Sequence, residues 1–410
     1  MLIYRLLINA FKLVLPILAR FIPKLRQFQS VRKDLFSRLS DQLDEKKPVI
    51  WFHCASLGEY EQGFPVMQKL KKHFTNHQLV VSFFSPSGYE VKKNNTFIDV
   101  ITYFPIDTVS NAKRFTNILK PELAVFVKYE IWPNFLQALS QKKIPIYLIS
   151  ALFHKDQLFF QFYGKWMRPY LQLFDQIYVQ DQSSYQLAKE LDLQKVQISG
   201  DTRYDRVYYQ TRQDNQLDFM DDFVRDEYCL VIGSSWPEDE AVFIDYVNEA
   251  RHKVVIVPHQ VKPEAIQELT QQFQQDYALY SSWKKADSSK NILIIDTVGL
   301  LTKIYAYADV AYVGGGMGNS GLHNILEPAA FGVPIIFGKN YKNFPEAGEL
   351  IKADAGASIS NPIAFQQLAQ YFFTEKEKRL DTGKKAADFI LSKKGATEKI
   401  SRDIINKTLV

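Results

Sequence analysis

The sequence predicts an α/β protein of two successive domains, each a mostly parallel sheet covered by helices on both faces, with an apolar helix at its N-terminus. Three observations carry this. Short, nearly continuous apolar runs of strand length alternate with longer mixed stretches, the pattern of strands buried on both faces. These runs fall into two sets separated by the polar, acidic stretch 208–227. Residues 1–23, MLIYRLLINAFKLVLPILARFIP, are strongly apolar yet interrupted by Arg5, Lys12 and Arg20.

The N-terminal segment lacks the small-residue cleavage pattern of a signal peptide, and its three charges are costly for a spanning helix. It suits a helix lying in the cytoplasmic leaflet, where Lys24, Arg26, Arg32 and Lys33 add attraction for anionic headgroups. The other reading is a helix packed on the protein's own surface. The first strand set is Val49 to Cys54, Leu79 to Phe84, Leu123 to Val127, Ile144 to Ile149 and Gln176 to Val179. Helices are expected at 64–74 and 111–119. The second set is Cys229 to Ile232, Lys253 to Val257, Ile292 to Ile295, Val310 to Val313 and Val333 to Phe337. The expected divisions are 1–30 for the membrane-associated helix, 31–215 and 216–380 for the two domains, and 381–410 for a basic helical segment packing back on the body. Ligands of such domains bind at the C-terminal ends of the strands, so a cleft between two sets of strand ends is expected.

Composition narrows the function. Of 410 residues, 46% are hydrophobic and 23% charged, which is ordinary for a folded protein. A net charge of +5 without a basic tail does not point to nucleic acid. Cys54 and Cys229 form no metal-ligand cluster, and no HExxH, CxxC or GxSxG arrangement is present, which disfavours zinc hydrolases and serine hydrolases.

The most distinctive run is Asp309 to Pro334, where a strand leads into Gly314, Gly315 and Gly316, followed by Gly318 and Gly321. Amides of such a turn cradle phosphate oxygens, although the run is neither GxGxxG at a first strand nor a P-loop. If the stretch is helical, His323 and Asn324 share a face with Glu327, whose carboxylate suits ribose hydroxyls. The competing reading is a set of turn glycines with local caps. Glu59 follows the first strand near a helix N-terminus, where a carboxylate can take a proton from a hydroxyl; its plainer role is a favourable charge on the helix. His53 alternates within the strand, and Ser56 and Gly58 lie in the turn after it. Lys128 and Glu130 follow the third strand, and Arg203 lies in a GDTRYDR run that suits an anion or a salt-bridged turn. Ser234 and Ser235 exit the first strand of the second domain, and Pro258 and His259 exit the next.

These motifs resemble the 3-deoxy-D-manno-octulosonic acid (Kdo) transferases of lipid A and lipopolysaccharide core biosynthesis. The carriers are HCASLGE at His53 to Glu59, EIWPN at Glu130 to Asn134, and GGGMGNSGLHNILEP at Gly314 to Pro328. Asp296 to Gly299 and the pair Asn343–Phe344 also fit, in the same order. The resemblance implies a GT-B glycosyltransferase fold of two Rossmann-like domains. It implies an inverting transfer of Kdo from CMP-Kdo to the tetra-acylated disaccharide 1,4'-bisphosphate precursor of lipid A (lipid IVA), at the cytoplasmic face of the inner membrane. No cofactor and no metal are implied. Glu59 is then the general base, with His53, Ser56, Gly58, Lys128 and Glu130 on the acceptor side. Ser234, Ser235, Pro258, His259, Gly315, Gly316, Asn324 and Glu327 fall on the donor side, with Arg203, Asp296, Gly299 and His323 as further contacts. Two runs depart from the family pattern: Ser150 to His154 replaces Asn-Ala-Arg-Leu-Ser, and Pro258-His259-Gln260 replaces Pro-Arg-His. The alternatives are a GT-B enzyme using a UDP-sugar, and a non-catalytic membrane protein that binds glycolipid or nucleotide.

Overall fold

The structure, a computed structural model, describes residues 1–408 and divides the chain into two compact units. The first holds residues 1–206 and takes back 394–408; the second is Val207–Lys393. The boundary lies some residues before 215/216, and the segment from 381 is shared between the units.

The first sheet is built from β1 (Val49–Cys54), β2 (Gln78–Phe83), β3 (Val100–Tyr103), β4 (Pro121–Val127), β5 (Ile146–Ala151), β6 (Gln176–Val179) and β7 (Val196–Ile198). Their order is β3-β2-β1-β4-β5-β6-β7, all parallel. The second comprises β8 (Cys229–Ser235), β9 (Lys253–Pro258), β10 (Tyr277–Leu279), β11 (Ile292–Ile294), β12 (Val310–Val313), β13 (Ile335–Gly338) and β14 (Gly356–Ile359). Its order is β10-β11-β9-β8-β12-β13-β14, again all parallel. In each unit the order reverses beside the first strand, and β1 and β8 are central.

Alternation decides which core each residue enters. Val49 and Trp51 of β1 face a cluster with Phe104, Phe115, Phe126 and Phe135. Ile50, Phe52 and Cys54 face the opposite cluster with Tyr60, Val66 and Tyr147. Two residues of helix Ala396–Thr408, Ile400 and Ile404, join that second cluster, which explains why the C-terminus returns to the first unit. Asp205 caps this helix, accepting from the N–H groups of Gly395 (2.7 Å) and Thr397 (3.0 Å). Helix Lys376–Lys393 stays with the second unit. There Gly383 packs so tightly that a Cβ would lie 2.0 Å from the Gly332 carbonyl oxygen.

Helix Leu2–Phe21 is long and apolar enough to cross a membrane by length and composition. One stripe packs on the first unit through buried Leu15 and Ala19 and through Tyr4, whose ring lies 5.2 Å from that of Trp166. The other stripe, with Leu2, Ile3, Leu6, Leu7, Leu13 and Phe21, is 62–78% exposed. The packed stripe agrees with the reading of a helix seated on the protein's own surface, and the other stripe leaves an apolar face exposed.

Asp107, fully buried in the loop after β3, accepts from the Tyr4 hydroxyl (2.7 Å) and the backbone N–H groups of Asn134 (3.2 Å) and Phe135 (3.1 Å). Burial outweighs these donors and pushes its carboxyl from the ordinary 3.8 up to about 7. A raised folded-state value means that the folded protein holds this proton more tightly than the unfolded chain. The stabilisation is complete below about pH 4 and is lost as pH rises through about 7. Between those limits the native protein should lose on the order of 4 kcal/mol from this group, and Asp107→Asn should flatten the slope. Denaturant unfolding of both proteins from pH 4 to 8 checks this; equal slopes would contradict it.

Candidate functional site

In the first unit the site residues gather where β1 and β4 end. β1 passes through Ala55 and Ser56 into helix Leu57–His73, and Glu59 occupies the third helical position. Its Oε2 accepts from the Ser56 N–H (2.9 Å) and from the Ser56 hydroxyl, a capping-box arrangement set by three-residue spacing. Both of these bonds go to Oε2, so Oε1 lies outside the box. Gly58 is exposed beside it. The neighbouring acid Glu61 is engaged elsewhere, by Lys92 (3.0 Å) and Arg206 (2.8 Å). Glu59, Glu130 and Glu61 all lie near enough to act on the buried Cys54 thiol, which burial and their charges push well up, so it stays protonated and inert.

His53 is wholly buried rather than open to a ligand. Its Nδ1 lies 2.9 Å from the Ser82 hydroxyl oxygen, which also accepts from the Trp51 indole N–H (2.9 Å). Its ring stacks on Phe104 at 4.0 Å. Its Nε2 points at Glu130 Oε2 across 3.5 Å, and that same oxygen accepts from the Trp132 indole N–H (2.9 Å). His53 is thus set behind Glu130, with no hydrogen-bond partner on Nε2 among the described residues. Lys128 adopts a positive φ (73°) at the end of β4, with its ammonium 5.1 Å from the centre of the Tyr129 ring. Arg203 sits at the start of helix Thr202–Gln210 and pairs with Asp201 at 2.7 Å.

In the second unit the ends of β8, β9, β12 and β13 meet. Ser234 takes a positive φ (55°), and the buried Ser235 hydroxyl has no hydrogen-bond partner. The Ser235 carbonyl accepts from the His259 N–H (2.9 Å), placing Pro258 and His259 beside it. A three-ring stack follows: Trp236 over His259 at 4.5 Å, and His259 over His323 at 4.5 Å. The Trp236 indole N–H donates to His323 Nε2 (2.9 Å), so the neutral ring carries its proton on Nδ1. Burial, then the neighbouring His259, lowers His323 to about 4, and burial also lowers His259. Both rings are neutral at pH 7, so His259 supplies no positive charge there.

The glycine turn is partly spoken for. The Gly315 N–H donates to buried Asp239 (2.7 Å), which also accepts from the Trp236 N–H (3.0 Å) and the Tyr312 hydroxyl (2.7 Å). Gly315 therefore shapes the turn, and its amide is unavailable to a phosphate. Gly316 is pressed against Gly338, and its carbonyl accepts from the Asn340 N–H (2.8 Å). His323 and Asn324 precede the helix rather than lying on it, because helix Leu326–Ala330 starts only after Asn324 accepts from the Leu326 N–H (3.2 Å). Asn324 still reaches Glu327, donating to Oε1 (3.0 Å), while Thr302 donates to Oε2 (3.1 Å). Asp296 holds the turn at Ser281 and Gly299 is exposed further along that loop. Among the described residues, no hydrogen bond connects either to the glycine turn.

Sequence reasoning missed three groups. Asp239 organises the glycine turn; its signal was the Pro237-Glu238-Asp239 opening of helix Pro237–Glu249. Lys339 and Lys342, both exposed, line a cavity of about 520 Å³ with Gly318, Asn319, Gly321 and Asn343; their signal was two lysines just after a strand. Asp107 was missed because all of its side-chain partners are distant in sequence.

Two seven-stranded parallel sheets with helices between the strands, and polar residues at the strand C-terminal ends, define a protein of the GT-B class. The UDP-GlcNAc 2-epimerase of Neisseria meningitidis shares this fold with a TM-score of 0.61 at 15% identity, over 88% of this chain and 99% of that one. Within the class, the chain is similar to the Kdo transferases: residues 30–206 match the family described as 3-deoxy-D-manno-octulosonic-acid transferase (kdotransferase). It is 27% identical to the 3-deoxy-D-manno-octulosonic acid transferase of Chlamydophila psittaci, over 86% of this chain and 83% of that protein. It is 26% identical to the bifunctional glycosyltransferase/methyltransferase of Fusobacterium nucleatum over 84% of this chain, but spans only 56% of that longer relative.

Proposed function

We propose that the protein is an inverting glycosyltransferase that moves Kdo from CMP-Kdo to the tetra-acylated disaccharide 1,4'-bisphosphate precursor of lipid A at the cytoplasmic face of the inner membrane. One observation carries the chemistry. Of the neighbouring acids Glu59 and Glu61, the second is consumed by two cations, whereas Glu59 is held by its own N-cap with Oε1 outside the box. Glu59 accepts the proton of the acceptor hydroxyl as that oxygen bonds to the anomeric carbon of Kdo. The bond from that carbon to the CMP phosphate breaks, its electron pair leaves with CMP, and Glu59 later releases the proton to water. Lys128 suits an acceptor phosphate.

On the donor side, Glu327 receives ribose hydroxyls: its carboxylate stands at the end of the glycine run, oriented by Asn324 donating to Oε1 and Thr302 donating to Oε2. The unpartnered Ser235 hydroxyl and the backbone around Gly316 suit the phosphate. With His259 neutral, the donor's carboxylate calls for a different cation, and Lys339 and Lys342 flank the glycine run. The exposed stripe of helix Leu2–Phe21, with Lys12 and Arg20, supports attachment to an anionic leaflet. Glu327→Gln should raise the donor KM by about 10- to 100-fold with a smaller change in kcat. An unchanged donor KM would remove Glu327 from the ribose.

The deciding experiment incubates detergent-solubilised protein with CMP-Kdo and the tetra-acylated precursor and weighs the lipid by mass spectrometry. A gain of one or more Kdo masses supports the reading. CMP release without lipid gain moves the acceptor elsewhere, and turnover of UDP-N-acetylglucosamine in place of CMP-Kdo overturns it.

A further inference from the structure

An apolar helix that serves only as an anchor needs an apolar face and nothing more. Helix Leu2–Phe21 has in addition two polar side chains in its first turn aimed into the protein. Tyr4 donates its hydroxyl to buried Asp107 (2.7 Å). Arg5 donates from Nε to Asn134 Oδ1 (3.1 Å) and from Nη2 to Gln137 Oε1 (2.6 Å). Asn134 in turn donates from Nδ2 to the Asp107 carbonyl (2.6 Å), while Asp107 accepts the N–H groups of Asn134 and Phe135. Asp107 is thus the N-terminal cap of helix Pro133–Gln141 and the seat of the apolar helix at once. Between the end of β4 and that cap lies the short loop 128–132. It carries Lys128 and Glu130, with Glu130 oriented by Trp132 and His53.

We propose that the apolar helix is a positioning element for the acceptor side, coupled through Tyr4–Asp107 and Arg5–Asn134 to the loop that carries Lys128 and Glu130. This rests on the transferase reading for its kinetic consequence, but not for its structural one. When the helix sits on the protein, Tyr4 and Arg5 fix the side chains of Asp107, which caps helix Pro133–Gln141, and of Asn134, which opens it, and the loop has one conformation. When Tyr4 and Arg5 leave, the acceptors Asp107 Oδ2, Asn134 Oδ1 and Gln137 Oε1 lose their donors, the Asp107–Asn134 pair is no longer held from the helix side, and the loop is free to sample other conformations. The enzyme would then be fully assembled only where the helix is seated.

The test uses full-length Tyr4→Phe, Arg5→Gln and the double variant, each compared with the native protein in three measurements. Sedimentation with phosphatidylethanolamine–phosphatidylglycerol vesicles should be unchanged, because the outward apolar stripe is intact. Transfer to detergent-dispersed acceptor should lose about 10- to 100-fold in kcat, with donor KM unchanged, as expected when reacting groups are misplaced by about 1 Å. Amide exchange should accelerate at residues 128–135 and not in the second unit. Native kcat together with native exchange in the double variant would overturn the proposal, as would lost vesicle binding with native kcat. If the native protein itself transfers nothing, the transferase reading fails, and the exchange comparison alone decides the coupling.

Discussion

Glu59→Gln should reduce kcat for transfer by about 100- to 10,000-fold while leaving CMP affinity within about twofold of native. Glutamine keeps the volume and the acceptor oxygen that receives the Ser56 N–H, so helix Leu57–His73 retains much of its cap and the unit folds. What disappears is an oxygen able to accept a proton at pH 7. The comparison that gives the result meaning is Glu61→Gln. It breaks the ion pairs to Lys92 and Arg206 but touches no reacting atom, so its effect on kcat should stay within about threefold. Steady-state rates with donor and acceptor varied separately, alongside CMP binding, check both. Turnover by Glu59→Gln within about tenfold of native would move the base elsewhere, and the pair His53–Glu130 would be the next place to look.

Gly338→Ala should disable the second unit. A Cβ there would lie 2.3 Å from the Gly316 carbonyl carbon and 2.5 Å from both its oxygen and the Met317 nitrogen. These are backbone atoms tied by the Asn340 N–H to the Gly316 carbonyl, so no side-chain rotation relieves the clash. The glycine turn and the end of β13 must part, at a cost of about 3 kcal/mol or more. We expect a lower unfolding midpoint for the second unit and CMP affinity reduced at least about tenfold, while the first unit keeps its own transition. Gly348→Ala is the control: it lies in helix Pro345–Lys352 with nothing within 4 Å of the added Cβ. Alanine there should be neutral or stabilising by up to about 1 kcal/mol. Differential scanning calorimetry with CMP titration separates the two, and a native-like Gly338→Ala would show that the turn yields more easily than its contacts imply.

The central strands were legible because strands buried on both faces must be apolar at nearly every position. β1, β6 and β12 start and end where the apolar runs do. The strands left unassigned were β3, β7, β10 and β14, which are the four edges. Each is three or four residues long and pairs on one side only, so neither length nor continuous apolarity marks it. Glu59 was legible for a different reason: it follows an apolar strand at the start of a helix, and the structure adds its partner, Ser56, three residues away.

From sequence alone followed the two-sheet α/β class, an apolar N-terminal helix and the acid at the end of β1, because each depends on periodicity or spacing within a single element. Other features depended on strand register and packing. Asp239 takes the Gly315 amide from 76 residues away, Tyr4 meets Asp107 across 103, and Ser82 holds His53 across 29. The Trp236–His259–His323 stack draws on three separate segments, and it leaves neutral a residue that the motif comparison placed where a cation is usual. Spacing along a chain encodes partners within a helical turn or so. Partners joined across strands are settled only when the sheets close, because burial and register then determine which donors remain for a ligand.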